Sequence, residues 1–162
     1  MVIQVFNSTF RVTRVFLGQK SGACILLTRL GFKAGASDAA FVQAAWPNLD
    51  IGDAFTAGTR LHTVSGIVRV ETLHNDFDFA KKRFCGEFLW HDSVEASEHV
   101  AQHGQSQGPV CWAQLGYASG YASHFFNMLI VYKETQCAAA SHKHCRVIGK
   151  PADVWGASDP LM

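Results

Sequence analysis

Charged residues are scarce in this sequence, and neither a long apolar run nor a strongly basic segment is present. Asp, Glu, Lys and Arg make up 17% of the 162 residues, and the formal net charge is +1; soluble proteins usually carry about 25% charged residues. A nearly neutral chain lacks the basic field typical of nucleic-acid binding, so we expect no direct binding to DNA or RNA. No apolar stretch approaches the ~20 residues of a membrane span, so we expect no membrane insertion.

Sequence signatures of nucleotide sites, export and disulfide frameworks are also missing. Gly149-Lys150 is followed by proline, so no phosphate loop of the G-x-x-x-x-G-K-[ST] type occurs, and G-x-G-x-x-G is absent. The N-terminus lacks the charged leader and unbroken apolar core of a signal peptide, so we expect a cytoplasmic protein. In a reducing compartment an odd set of cysteines favours free thiols or metal ligands over disulfides; the five are Cys24, Cys85, Cys111, Cys137 and Cys145.

Apolar and aromatic residues are abundant, at 48% and 12% of the chain. This composition indicates one globular domain rather than a disordered segment. Residues 1–17 read as extended. Helices are predicted over residues 20–32, from a Ser37-Asp38 cap to Trp46, and from Ser93 to about His103, where Asp92-Ser93-Val94-Glu95 suggests a capping box. Residues 51–65 have no clear pattern.

Alternating apolar residues predict strands over residues 66–73 and 84–90, separated by a charged connection at 75–82. In the second strand one face carries Phe84, Gly86, Phe88 and Trp90. A small-residue helix is predicted over residues 111–126, and a hairpin over residues 128–138 and 144–148. Helices combined with an antiparallel hairpin give an α+β domain.

The hairpin carries a candidate metal site. Cys137 lies near the end of one strand and Cys145 near the start of the next, so the turn brings them together, and Cys111 at the head of the preceding helix is a candidate fourth ligand. Glu134 joins them only if a bulge near residues 135–136 turns it to the same side. Three thiolates and a carboxylate favour zinc in a closed structural site. Ordinary buried cysteines are the alternative, and His142 and His144 are competing ligands.

A second group of residues has the chemistry of a small apolar pocket: Phe55, His62, Phe88, Trp90, Tyr121 and Tyr132. A neutral imidazole donates or accepts a hydrogen bond, whereas an indole N–H only donates, so His62 and Trp90 together suit a ligand hydroxyl. Such a pair would discriminate a phenol from a plain arene. Each residue taken alone is equally explained as core.

Three longer motifs resemble a known family: Cys111-Trp112-Ala113-Gln114-Leu115-Gly116-Tyr117-Ala118-Ser119-Gly120-Tyr121, Tyr132-Lys133-Glu134-Thr135-Gln136-Cys137, and His144-Cys145-Arg146-Val147-Ile148-Gly149-Lys150-Pro151. Together with Leu61-His62 and Gly86-Glu87-Phe88-Leu89-Trp90, they resemble the N-terminal sensor domain of bacterial sigma-54-dependent activators of phenol and aromatic catabolism. That module joins an activator segment to a vinyl-reductase-like domain.

The resemblance implies a vinyl-reductase-like fold with an antiparallel sheet, packed helices and a zinc-binding hairpin lobe. It implies a structural Zn²⁺ held by Cys111, Glu134, Cys137 and Cys145. It also implies that His62 and Trp90 hold the hydroxyl of a phenol or substituted phenol, with Phe55, Phe88, Tyr121 and Tyr132 lining the cavity. The expected division is a poorly matched segment at 1–20, the sensing domain at 21–156 and a tail at 157–162.

The predicted function is therefore a non-enzymatic, phenol-binding sensor of the kind that controls sigma-54-dependent transcription, and the resemblance allows a homodimer. ATPase and DNA-binding segments are expected outside this chain. Two alternatives stay open at this point. One is a zinc-stabilised structural or dimerisation module that senses nothing, and the other is a vinyl-reductase-like enzyme subunit, for which Cys85 with His62 or His91 would be the candidate dyad.

Overall fold

The computed structural model describes residues 20–155 of the chain. These residues form four α-helices, one four-stranded antiparallel sheet and two short 3₁₀ turns, which confirms the α+β prediction. The predicted extended segment at residues 1–17 lies outside the described residues. In chain order the elements are α1 (Lys20–Ala45), α2 (Ile51–Val64), β1 (Arg69–Asp78), β2 (Arg83–His91), α3 (Val94–His103), α4 (Trp112–Phe126), β3 (Ile130–Gln136), the first 3₁₀ turn (Ala138–Ala140), β4 (Cys145–Pro151) and the second 3₁₀ turn (Ala152–Trp155).

One continuous helix, α1, replaces the two helices predicted over residues 20–46. Ser37 and Asp38 do not cap a new helix, because the chain is already helical when it reaches them. A single buried stripe runs along α1 at helical spacing, formed by Ala23, Leu27, Gly31, Gly35, Ala39 and Val42. Packing of this stripe on the rest of the domain is a long-range effect, so the local cap signal misplaced the boundary.

Close packing between α1 and α4 depends on glycines in both helices. A Cβ atom added to Gly31 or Gly35 would lie 2.0 or 2.1 Å from the carbonyl oxygen of Ala113 or Tyr117 in α4. Added to Gly120, it would lie 2.0 Å from the carbonyl oxygen of Phe32. The contacting positions advance together along both helices, so the two helices run in the same direction. This contact explains the glycines inside α4, each of which costs about 1 kcal/mol in helix propensity.

Helix α2 covers the segment that has no clear sequence pattern. Its N-cap is Asp50, whose carboxylate accepts hydrogen bonds from the backbone N–H groups of Gly52 and Asp53. Phe55, Gly58 and His62 are buried on one side of the helix, as the spacing i, i+3, i+7 requires. The helix therefore directs Phe55 and His62 to the same side, two turns apart.

The sheet has the strand order β1-β2-β4-β3, and the alternation predicted for β2 is confirmed, with Phe84, Phe88 and Trp90 buried. The predicted end of β1 is wrong, because the strand continues to Asp78. The charges that suggested a connection belong to the strand, where Asp76 pairs with Arg83 across the ladder. The β3–β4 hairpin is confirmed, with the register running from Ile130 opposite Pro151 to Gln136 opposite Arg146.

Candidate functional site

An aromatic cavity of about 50 Å³ lies between helices α2 and α4 and the inner face of the sheet. The structure brings together at this cavity the six residues predicted to line a pocket: Phe55, His62, Phe88, Trp90, Tyr121 and Tyr132. The walls are almost entirely ring and methyl surface. Such a site binds a small apolar molecule and uses a few polar groups to orient it.

His62 is the polar group that best fits a ligand-binding role. It is 6% exposed, and neither ring nitrogen has a hydrogen-bond partner. Burial lowers the pKa of His62 to about 4, so the ring is neutral near pH 7 and offers one donor and one acceptor. The ring stacks with that of Trp90, at 5.9 Å between centroids. Buried polar atoms are normally satisfied, so these two nitrogens point to a missing partner.

The other hydroxyl groups around the cavity are already engaged. Tyr121 donates to the carbonyl oxygen of Ala54 at 2.7 Å, and Thr59 donates to that of Thr56 at 2.9 Å. Among the side chains of residues 20–155 that line the cavity, buried nitrogen or oxygen atoms without a partner occur on His62 and Asn75. The polar recognition elements are therefore few and identifiable.

The pocket prediction missed several lining residues: Thr56, Gly58, Thr59, Val70, Asn75, Tyr117, Ala118 and Ala122. Tyr117 had a sequence signal, because it lies one helical turn before Tyr121 in the tandem Gly-Tyr-Ala-Ser repeat. Asn75 had none, since it falls in the segment predicted to be a connection. The candidate Cys85 dyad does not form: Cys85 alternates with the inward-facing Phe84 and Gly86 and points away from the cavity that holds His62.

A larger outer groove, of about 560 Å³, adjoins the cavity between α1, α2 and the start of α4. Its walls are mainly apolar, and they include Leu27, Leu30, Leu61 and Ile67. His62 and Tyr117 line both spaces, and their rings meet edge to face at 4.3 Å. These two rings form the wall between the groove and the cavity.

Four buried side chains converge on the outer side of the hairpin: Cys111, Glu134, Cys137 and Cys145. One potential ligand atom from each lies within 4.8 Å of the other three. The register of β3 and β4 shifts between Glu134 and Gln136, which is the irregularity that convergence of Glu134 with Cys137 requires. His142 is exposed in the turn, and His144 packs against the ring of His91; neither belongs to this cluster.

The chemistry and spacing of the cluster fit a tetrahedral cation. Sulfur atoms at about 2.3 Å from a tetrahedral Zn²⁺ are about 3.8 Å apart, and the Sγ atoms of Cys111 and Cys145 are 3.7 Å apart. Glu134 Oε2 accepts a hydrogen bond from the Cys111 backbone N–H, and its Oε1 is buried with no partner. A buried carboxylate oxygen without a donor is expensive, and a cation would satisfy it.

The protonation balance of the cluster also favours a bound cation. Hydrogen bonds from the thiols of Cys111 and Cys145 lower the pKa of Cys137 to about 2. Burial raises the pKa of Cys111, and burial together with the negative charge on Cys137 raises that of Glu134 to about 7. Four acidic groups cannot all ionise in so small a buried volume without a positive charge among them. The cluster could therefore hold a metal ion.

Glu95 fixes the start of helix α4 beside this cluster. Ser93 caps α3 by accepting from the Ala96 N–H, as predicted, but Glu95 does not complete a capping box. Its buried carboxylate instead accepts hydrogen bonds from the backbone N–H groups of Ala113 and Gln114, at 2.9 and 2.8 Å. Free N–H groups at a helix start need such partners. Glu95 thereby holds the turn that follows Cys111.

The fold and the site together define an α+β ligand-binding module with an aromatic cavity and a cysteine-rich cluster, and comparisons with known proteins agree. A family model described as an activator of aromatic catabolism matches residues 16–78, and a model of the vinyl-reductase domain matches residues 90–151. The crystal structure of the phenol-responsive sensory domain of the transcription activator PoxR, solved with phenol, superposes with a TM-score of 0.87. It shares 36% sequence identity with this chain, and the match covers 94% of this chain and 76% of that one.

The chain belongs to the family of sensory domains found in transcription activators of aromatic catabolism. The phenol regulator MopR of Acinetobacter guillouiae is 42% identical over 136 residues, which are 83% of this chain and 24% of that protein. The regulator XylR of Pseudomonas putida is 37% identical over 143 residues, 83% of this chain and 25% of that protein. The chain thus spans about a quarter of the length of these two regulators.

A more distant structural match shows the fold alone. Subunit 3 of the trafficking protein particle complex from Naegleria fowleri, solved covalently bound to palmitic acid, superposes with a TM-score of 0.61 at 9% identity. The match covers 93% of this chain and 92% of that subunit. Among the helices of residues 20–155, none has the length and apolar character needed to cross a membrane.

Proposed function

We propose that this chain senses phenol or a substituted phenol by binding it in the aromatic cavity, with the hydroxyl held by His62 and Trp90. The observation that carries the proposal is the buried imidazole of His62, which has two unpartnered nitrogens and stacks with Trp90 at the cavity wall. The relatives support it, because PoxR is named as phenol-responsive and MopR as a phenol regulator. Calorimetric titration of the purified chain with phenol tests it, and we expect saturable binding of one phenol per chain.

In this proposal the remaining predicted residues form the apolar walls. Phe55, Phe88, Tyr121 and Tyr132 would contact the faces and edges of the bound ring, and burial of that ring would supply most of the affinity. His62 and Trp90 would supply selectivity, because a hydroxyl buried without a partner costs about 1–3 kcal/mol. A neutral His62 accepts from the phenol O–H, and the Trp90 N–H donates to the phenol oxygen.

Entry of a ring requires the cavity to open. A cavity that binds benzene measures about 150 Å³, whereas the aromatic cavity measures about 50 Å³. We propose that the ring enters through the outer groove by displacing the wall of His62 and Tyr117. The Tyr117 hydroxyl donates a 2.8 Å hydrogen bond to Asp38 on α1, and this bond would keep the wall closed.

Replacing Tyr117 by phenylalanine should accelerate phenol exchange. The change removes the hydrogen bond to Asp38 and leaves the ring that lines the cavity in place. An exposed hydrogen bond of ~1 kcal/mol would correspond to about a fivefold increase in both the association and dissociation rate constants, with little change in Kd. Stopped-flow fluorescence measures both rates. Rates equal to those of the unaltered protein would contradict this entry route.

We propose that the cluster of Cys111, Glu134, Cys137 and Cys145 holds a structural Zn²⁺. Three sulfur ligands favour zinc among the common divalent ions, and four protein ligands leave no open position for catalysis. The cation would neutralise the buried thiolates and the Glu134 carboxylate. No ligand-sensing step is assigned to it.

Backbone connections between the cluster and the cavity support this structural role. Trp90 on β2 pairs with Cys145 on β4, and Tyr132 lies two residues before Glu134 on β3. Helix α4 begins beside Cys111 and carries Tyr117 and Tyr121 to the cavity. A clamp at the cluster would therefore hold three walls of the cavity in position.

We further propose that the sensing domain comprises residues 21–156, that it is cytoplasmic and non-enzymatic, and that ligand binding controls sigma-54-dependent transcription of aromatic catabolism genes. A phenol that binds one conformation better than another would shift the population towards it, and this bias would pass to the rest of the regulator. Homodimerisation is part of the same proposal.

A further inference from the structure

The aromatic cavity contains a second polar group that the hydroxyl site does not use. Asn75 on β1 lines the cavity, and its Oδ1 atom is buried with no hydrogen-bond partner. Leaving a buried amide oxygen unpaired costs about 1–3 kcal/mol. A group retained at that cost in an otherwise apolar space marks a place where a donor is expected to bind.

A β-bulge turns Asn75 into the cavity. Val70 lies opposite Trp90, and Asn75 lies opposite Gly86, with a register shift between Thr72 and His74. Val70 and Asn75 are five residues apart and would face opposite sides in a regular strand. The extra residue at the bulge restores the phase, so both line the cavity. Bulges commonly re-aim a side chain in this way.

Asn75 and the hydroxyl site lie at opposite ends of the cavity. Their cross-strand partners, Gly86 and Trp90, are four residues apart on β2, which corresponds to about 13 Å along the strand. His62 lies at the Trp90 end, where the two rings stack. Phe88 lies between the two ends and lines the same cavity.

We infer that Asn75 forms a second polar subsite, which takes a hydrogen-bond donor at the para position of the bound phenol. The favoured ligands are then phenols with a para hydroxyl or amino group, oriented by His62 and Trp90 at one end and by Asn75 at the other. Oδ1 faces inward and can only accept. The inference rests on the proposed function, because it assumes a phenol in this cavity.

A matched ligand pair tests the subsite. Hydroquinone and p-cresol have nearly the same size and differ in a para hydroxyl against a methyl group. Their Kd values would be measured by calorimetry for the unaltered protein, for Asn75→Leu and for the exposed control Asn48→Leu. Nitrogen and a phosphine reductant would keep hydroquinone reduced. The change in the ratio of the two Kd values cancels the twofold statistical advantage of the symmetric ligand.

We expect the unaltered protein and Asn48→Leu to bind hydroquinone at least as tightly as p-cresol. Asn75→Leu should shift the ratio by about tenfold in favour of p-cresol, because the para hydroxyl is then buried without a partner. An unchanged ratio in Asn75→Leu would overturn the inference. So would a tenfold preference of the unaltered protein for p-cresol, a measurement that does not depend on the variant folding.

The outcome also separates this inference from the proposed function. If neither ligand nor phenol binds the unaltered protein, the proposed function itself is wrong. If phenol binds and depends on His62, but the ratio does not respond to Asn75, the phenol site stands and the second subsite is wrong.

Discussion

Replacing His62 by alanine is expected to weaken phenol binding by about 5- to 150-fold, because the ligand hydroxyl would lose its acceptor inside a cavity that excludes water. The fold should survive the change. His62 is buried with both nitrogens unpartnered, so its removal relieves a desolvation cost that partly offsets the lost packing. Calorimetric titration measures the affinity, and thermal denaturation verifies the fold.

Two further variants make the His62 result specific. His62→Gln keeps a hydrogen-bonding group at the site, so it should retain part of the affinity that alanine loses. His142→Ala changes an exposed histidine in the hairpin turn and should bind phenol as the unaltered protein does. Full phenol affinity in His62→Ala would remove the hydroxyl site from the account.

Loss of the metal is the second large effect that we expect. Replacing Cys137 by serine, or stripping the metal with a chelator, should lower the melting temperature by roughly 10 °C or more. The cluster would then hold buried acidic groups with no cation, a cost of about 3 kcal/mol or more. Calorimetry measures the shift, and elemental analysis should find one zinc per unaltered chain. Added Zn²⁺ should restore the stripped protein.

Cys85→Ser is the matched control for this experiment. Cys85 is a half-buried free thiol on β2 and lies outside the cluster, so its substitution should leave both the metal content and the melting temperature nearly unchanged. Equal melting temperatures for the Cys85 and Cys137 variants, together with no metal in the unaltered protein, would show that the cluster is an ordinary set of buried thiols.

Much of the site follows from local sequence patterns. The alternation from Phe84 to Trp90 fixes which side chains of β2 face the helices, and a hairpin brings Cys137 and Cys145 together wherever it folds. The need for a bulge beside Glu134 also follows from strand geometry. These features depend on neighbours in the sequence, so the sequence alone predicts them.

The missed features depend on contacts between distant segments. Helix α1 continues through Ser37 and Asp38 because Gly31 and Gly35 pack against α4, about 80 residues further along the chain. Asn75 faces the cavity because of a bulge in β1, and a bulge moves every later side chain to the opposite face. A local pattern contains neither contact, so the sequence alone could not reveal them.

The most direct test of the account compares phenol with toluene on the unaltered protein. The two molecules match in size, and only phenol has a hydroxyl for His62 and Trp90, so calorimetric titration should show phenol binding at least about tenfold more tightly. Equal affinities, or tighter binding of toluene, would contradict the claim that a buried imidazole and an indole recognise the hydroxyl of the ligand.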